Sequence, residues 1–186
     1  MKKIPLALTA GLAIATAMGA FSLIAAAQTS TSNFYERTEV ARVDTGLRIA
    51  PVPLTYTKAD KYMVGLGSYL VNAIGDCNGC HTNPSFVEPG GDPYLGHKKQ
   101  INSAHYLAGG QLFGPFVSRN LTPENGLPAG RTWPEFLKEI RTGIDLDHAH
   151  PKFGPLLQVM PWPTTDHELL AIYTYLKAIP PATQGK

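Results

Sequence analysis

Cys77, Asn78, Gly79, Cys80 and His81 form a C-x-x-C-H run that contains both cysteines of the chain. Two thiols three residues apart can add to the two vinyl groups of one porphyrin, and the adjacent histidine is then placed to bind iron from the same side. This is the spacing of covalent c-type haem attachment. Two other chemistries use paired cysteines. A zinc half-site needs a second ligand pair, for which no further cysteine exists, and a thioredoxin-like redox pair calls for a surrounding βαβ pattern that this sequence lacks. The motif predicts one haem c, tethered by Cys77 and Cys80, with iron held by His81.

A haem iron that does not bind small molecules needs a sixth ligand, and four methionines and five further histidines are available. Met1 and Met18 lie in the N-terminal apolar segment, and Met63 falls on the apolar stripe of a helix. Met160 remains, in Gln158-Val159-Met160-Pro161-Trp162. A residue before proline is pushed out of helical geometry, so an extended loop would aim this thioether sideways at a haem face. The plainer reading of Met160 is a core methionine filling a gap. Among the rivals, His167 lies in the first turn of a capped helix and His97 and His148 read as surface residues, leaving His105 and His150 as substitutes. Methionine opposite histidine raises the reduction potential and closes the iron, which favours electron transfer over oxygen chemistry.

The elements that must carry these groups are few. Met1 to Ala27 has Lys2 and Lys3, no acid, an apolar middle and small residues at Ala25, Ala26 and Ala27, the pattern of a cleaved secretory signal. An uncleaved membrane anchor is the alternative, since the stretch is long enough to span a bilayer. Residues 28–60 are polar, carry Pro51 and Pro53, and read as an extended arm or linker. From Lys61 the periodicity of Met63, Leu66, Gly67, Leu70 and Ile74 predicts an amphipathic helix capped by Asp60 and stopped at Gly75. Residues 82–131 hold most of the glycine and proline and predict a long irregular stretch. Two capping boxes follow, Thr132 with Glu135 and Thr165 with Glu168. They open helices that bury Phe136, Leu137 and Ile140, and Leu169, Ile172, Tyr173 and Leu176. The haem domain is accordingly set at residues 61–186.

Composition bounds the alternatives. The 186 residues are 44% hydrophobic and 16% charged, which suits one modest globular domain, and two cysteines exclude a scaffold stapled by many disulfides. Sixteen basic against 14 acidic residues is too slight a bias for a nucleic-acid partner. Without residues 1–27 the two classes balance at 14 each. The exported protein is expected to be neutral and periplasmic, and to meet a membrane only if the signal stays uncleaved.

From about Lys61 to Pro181 the chain resembles class I c-type cytochrome domains, in particular the haem domains in cytochrome subunits of bacterial membrane-bound alcohol and gluconate dehydrogenases. The resemblance rests on CNGCH, with Gly67-Ser68-Tyr69-Leu70-Val71, Leu107-Ala108-Gly109-Gly110, Gly114-Pro115-Phe116, Asn120-Leu121-Thr122-Pro123-Glu124, Met160-Pro161-Trp162 and Ala171-Ile172-Tyr173-Thr174-Tyr175-Leu176 around it. It implies an all-α fold with few helices and long loops wrapped around one haem, and a crossing of first and last helices at Gly67 and Tyr173. Those subunits carry several C-x-x-C-H motifs where this sequence has one.

With a porphyrin as organiser, Gly109 and Gly110 would let the backbone approach the haem. Asn120, Thr122, Arg119, Arg131 and Arg141 become candidates to bond the propionates, with a solvated surface charge as the alternative for each arginine. The second ring nitrogen of His81 should donate to a carbonyl, with Pro84 and Pro93 as candidates. The function implied is a single-haem electron carrier, not an enzyme, between a periplasmic dehydrogenase and a terminal oxidase or reductase. A haem enzyme of peroxidase-like or sulfur-oxidising type, or a haem sensor, would need a displaceable sixth ligand.

Overall fold

A computed structural model describes residues 32–147 and 162–185. The chain divides into two compact units, Met1–Ala41 and Arg42–Lys186, and the site lies within the second. Among the described residues there are five α-helices and two short hairpins, so the fold is all-α with long connections. No described helix is long and apolar enough to cross a membrane.

The segment expected to be an extended arm is helical over residues 32–49 (α1). Val43, Gly46, Leu47 and Ala50 recur at helical spacing and face the core. A Cβ on Gly46 would fall 1.9 Å from the Gly65 carbonyl oxygen, and one on Gly65 would fall 2.6 Å from Val43 Cγ1. The Ser68 hydroxyl, fully buried, donates to the Gly46 carbonyl at 2.7 Å. Two glycines thus let α1 and the next helix touch backbone to backbone.

That helix, α2 (Lys61–Tyr69), is central. Val64, Leu66 and Ser68 are all buried, so α2 is covered on more than one face. Asp60 does not cap it through its side chain; its carboxylate accepts from Thr57 Oγ1 at 2.6 Å instead. The helix widens into a π-turn over Leu70–Ile74, with Gly75 N–H donating to the Leu70 carbonyl. An inserted residue shifts the helical phase, which is why Ile74, expected on the buried stripe, is 62% exposed.

A left-handed Asp76 then turns the chain into α3 (Cys77–His81). Residues 82–131 are irregular as expected, held by 3-10 turns and by the hairpins Leu112–Phe113 with Phe116–Val117 and Pro123–Glu124 with Leu127–Pro128.

Helix α4 (Trp133–Thr142) starts where the Glu135 carboxylate accepts from the Thr132 amide at 2.9 Å and stops at left-handed Gly143. Helix α5 (Asp166–Ala178) opens on the reciprocal Thr165–Glu168 box. It buries Leu169, Ala171, Ile172, Tyr175 and Leu176, each large aliphatic side chain contributing about 2 kcal/mol. The α2–α5 crossing does not use Tyr173. A Cβ on Gly67 would meet the Ala171 carbonyl oxygen at 2.0 Å and Tyr175 Cβ at 2.7 Å. Tyr173 lies on the other side of α5, against Trp133 and Phe136, and donates to the Arg131 carbonyl at 2.9 Å.

Candidate functional site

The C-x-x-C-H run occupies one helical turn. The π-turn before it and left-handed Asp76 set the direction in which this turn leaves α2. Asn72, inside the π-turn, anchors the approach. Its amide donates to Ser68 Oγ at 3.1 Å and Tyr175 Oη at 3.2 Å, and its carbonyl oxygen accepts from Tyr106 Oη at 2.5 Å. The two phenols meet at 3.0 Å and close the ring. Burial raises the pKa of both phenols, so the network stays neutral.

Cys77 and Cys80 are both free thiols. Burial, with the Asp76 carboxylate and Cys80 adding to it, pushes the Cys77 thiol up to about 12. A redox dithiol needs a low thiol pKa, so this environment argues against that chemistry. Cys80 is exposed.

His81 is buried, and desolvation pulls its pKa below the ordinary imidazole value, against a hydrogen bond that acts the other way. That bond runs from Nδ1 to the main-chain oxygen of Arg119, at 2.8 Å. The acceptor is therefore neither Pro84 nor Pro93. With Nδ1 donating, Nε2 carries the lone pair that can bind a metal. The main chain of His81 is fixed as well: its carbonyl accepts from Gly109 N–H at 2.6 Å.

Gly109 has φ +75°, and a Cβ there would lie 2.5 Å from the Ser118 oxygen and 2.6 Å from the Arg119 carbonyl carbon. Gly110, at φ +92°, borders Asn83 and Gln184. Gly110 is needed for its left-handed backbone, whereas Gly109 also serves close passage of the chain past itself. That passage brings the Arg119 carbonyl to His81.

Cys77 also lines an open apolar crevice, together with Val71, Leu121, Phe136, Ile140, Trp162, Leu169, Ile172 and Leu176. All nine lining side chains among the described residues are apolar. Gly75 makes room for one wall: a Cβ there would fall 2.3 Å from the Trp162 ring and 3.2 Å from Cys77 Sγ.

The remaining polar candidates are engaged elsewhere. Asn120 Oδ1 accepts from the amide and hydroxyl of Thr122, and its Nδ2 donates to the Ala182 carbonyl at 2.8 Å. Arg119 donates twice to the Ala129 carbonyl and pairs with Asp147. Arg131 pairs with Glu139 at 3.1 Å and with Asp147 at 2.6 Å. Arg141 bonds the Trp162 carbonyl at 2.9 Å and Asp166 at 2.5 Å. Of the histidines, His105 bonds the Thr183 carbonyl, while His97 and His167 are exposed. Met160, His148, His150 and the segment 1–27, expected to be an export signal, lie outside the described residues.

Three curated relatives match the chain. Each is named alcohol dehydrogenase (quinone), cytochrome c subunit. Those of Gluconacetobacter polyoxogenes and Komagataeibacter europaeus are 31% identical over 148 residues, or 73% of this chain. That of Gluconobacter oxydans (strain 621H) is 33% identical over 131 residues, or 66% of the chain. The chain spans only 25–29% of the length of these relatives. No family model matches the chain, and no solved structure matches it significantly.

Proposed function

Since the chain carries a c-type cytochrome domain homologous to part of these subunits, we propose that it binds one haem c through Cys77 and Cys80 and works as an electron-transfer protein or subunit. The observation that carries this reading is the cysteine pair on a single helical turn, at the wall of a wholly apolar crevice and ending in a buried histidine whose Nδ1 is already bonded. A large flat apolar ring suits that lining, because burial of apolar area stabilises it and the described residues that line the crevice are all apolar. When bound, the haem iron supplies a one-electron couple.

The residues of the chain do the rest. His81 would bind the iron through Nε2, oriented by Arg119. Met160 would be the second protein ligand, as its place before Pro161 suggests, and would close the iron to small molecules. Phe136, Ile140, Leu169 and Ile172 would keep water from the bound ring. Residues 1–27 direct the chain to the periplasm, and the electron donor is a quinone-linked dehydrogenase of the kind named for the relatives.

The test is expression of the exported protein in a host that attaches haem c. We expect one covalent haem per chain, resistant to denaturing electrophoresis, with a low-spin spectrum and a methionine-to-iron band in the oxidised form. Met160→Ala should abolish that band, lower the potential and admit carbon monoxide. A wild-type protein without covalent haem overturns the reading; an unchanged band in the variant overturns the methionine assignment alone.

A further inference from the structure

We propose that Asp147 and Arg119 act as a positioning pair for His81, fixing the one main-chain oxygen that orients its imidazole. The proposal rests on the reading of His81 as a haem ligand. Arg119 uses its two ends separately. Its carbonyl accepts from His81 Nδ1 at 2.8 Å, and its guanidinium turns back on the chain, where Nε and Nη2 donate to the Ala129 carbonyl at 3.1 and 2.8 Å. The remaining nitrogen, Nη1, pairs with one oxygen of Asp147. The other carboxylate oxygen meets Arg131 Nη2 at 2.6 Å, and Arg131 Nε reaches Glu139 of α4 at 3.1 Å. The acceptor of the axial histidine is thereby tied to a helix through a chain of four charges.

An isolated surface ion pair would not matter here, being worth about 0–1 kcal/mol. This one differs in three respects. Arg131 is only 11% exposed, the carboxylate is shared between two guanidinium groups, and the Arg119 fork is doubly bonded to a peptide oxygen. From the other side, the bare Cα of Gly109 lies against the Arg119 carbonyl carbon while its N–H holds the His81 carbonyl. The oxygen is caught between a glycine that admits it and a salt-bridge chain that stops it retreating. The strength of the bond from Nδ1 sets how strongly Nε2 donates to a metal.

The experiment compares two variants in the haem-loaded, reduced protein with labelled histidine. Asp147→Asn keeps the shape and removes the charge; Arg119→Lys keeps the charge and removes the fork. Both should speed solvent exchange of the His81 Nδ1–H about 10-fold, the factor expected when one net hydrogen bond is lost. Both should shift the midpoint potential upward, and Asp147→Glu should return both readouts toward wild type. An Arg119→Lys protein with unchanged ring-proton exchange and unchanged potential overturns the proposal, because any effect of Asp147→Asn is then only a charge felt through space. Covalent haem is measured on the same samples. Its absence from wild type sinks the haem reading and this proposal with it, whereas normal haem with unmoved ring protons sinks the positioning pair alone.

Discussion

Gly67 of α2 and Ala171 of α5 approach so closely that a methyl group on the glycine would sit 2.0 Å from the alanine carbonyl oxygen. Backbone cannot yield there as a flexible side chain would. Gly67→Ala gains about 1 kcal/mol in helix propensity but forces the two helices apart, at a cost of about 1–3 kcal/mol. The expected outcome is a lower thermal midpoint. A rise in midpoint on differential scanning calorimetry would contradict the crossing.

Gly109→Ala adds a second kind of strain. The residue sits at φ +75° with the Ser118 oxygen 2.5 Å from any Cβ, and a left-handed non-glycine residue in such a site costs about 1–3 kcal/mol. The loss should be local as well as global. Amide exchange at Gly109, Arg119 and Leu121 should rise more than exchange in α5, which a uniform destabilisation would not produce.

The Asn72–Tyr106–Tyr175 ring is closed, with each buried polar group donating to the next. Asn72→Leu leaves two buried phenols short of partners and should cost about 2–4 kcal/mol by denaturant unfolding. Burial raises both phenol pKa values above the ordinary 10. A proton held more tightly in the folded state gives stability that is fully present below pH 10 and is lost as pH climbs toward the folded values. Two of the eight tyrosines should therefore stay silent in a tyrosinate absorbance titration until the fold opens.

Arg131 and Arg119 hold the Asp147 carboxyl at about 2, below the ordinary 3.8. The sign is opposite to that of the phenols. The ion pair stabilises the fold above pH 4, and this contribution disappears as pH falls from about 4 to about 2. Asp147→Asn should be less stable than wild type at pH 7, and the two acid-unfolding curves should converge near pH 2. Parallel curves throughout would mean that the carboxylate adds nothing.

Much of this arrangement is legible in the sequence, and what is not has identifiable causes. Helices α2, α4 and α5 announce themselves through period and capping boxes, and the motif Cys77–His81 names its chemistry by spacing. Helix α1 escapes because its contact face is Val43, Gly46 and Leu47. Gly46 acts by lacking a side chain, which no measure of hydropathy registers. The partner of His81 escapes for a different reason: a peptide oxygen 38 residues away belongs to the main chain and has no residue type to search for. The arginines are visible as cations, but only the folded chain reveals that Asp147, Glu139 and Asp166 are their partners.

The segment that follows α5 is bonded across the irregular stretch. Ala182 exchanges hydrogen bonds with Thr122 and accepts from Asn120, the Thr183 carbonyl meets His105, and Gly185 lies against the Asn83 carbonyl. Thr55 N–H reaches the Ala178 carbonyl. Every one of these contacts joins residues at least about 60 positions apart, and pairings of that span form late in folding. Residues 179–185 therefore act as a clasp on the irregular stretch, so that removing them should free Asn83, His105, Asn120 and Thr122 together.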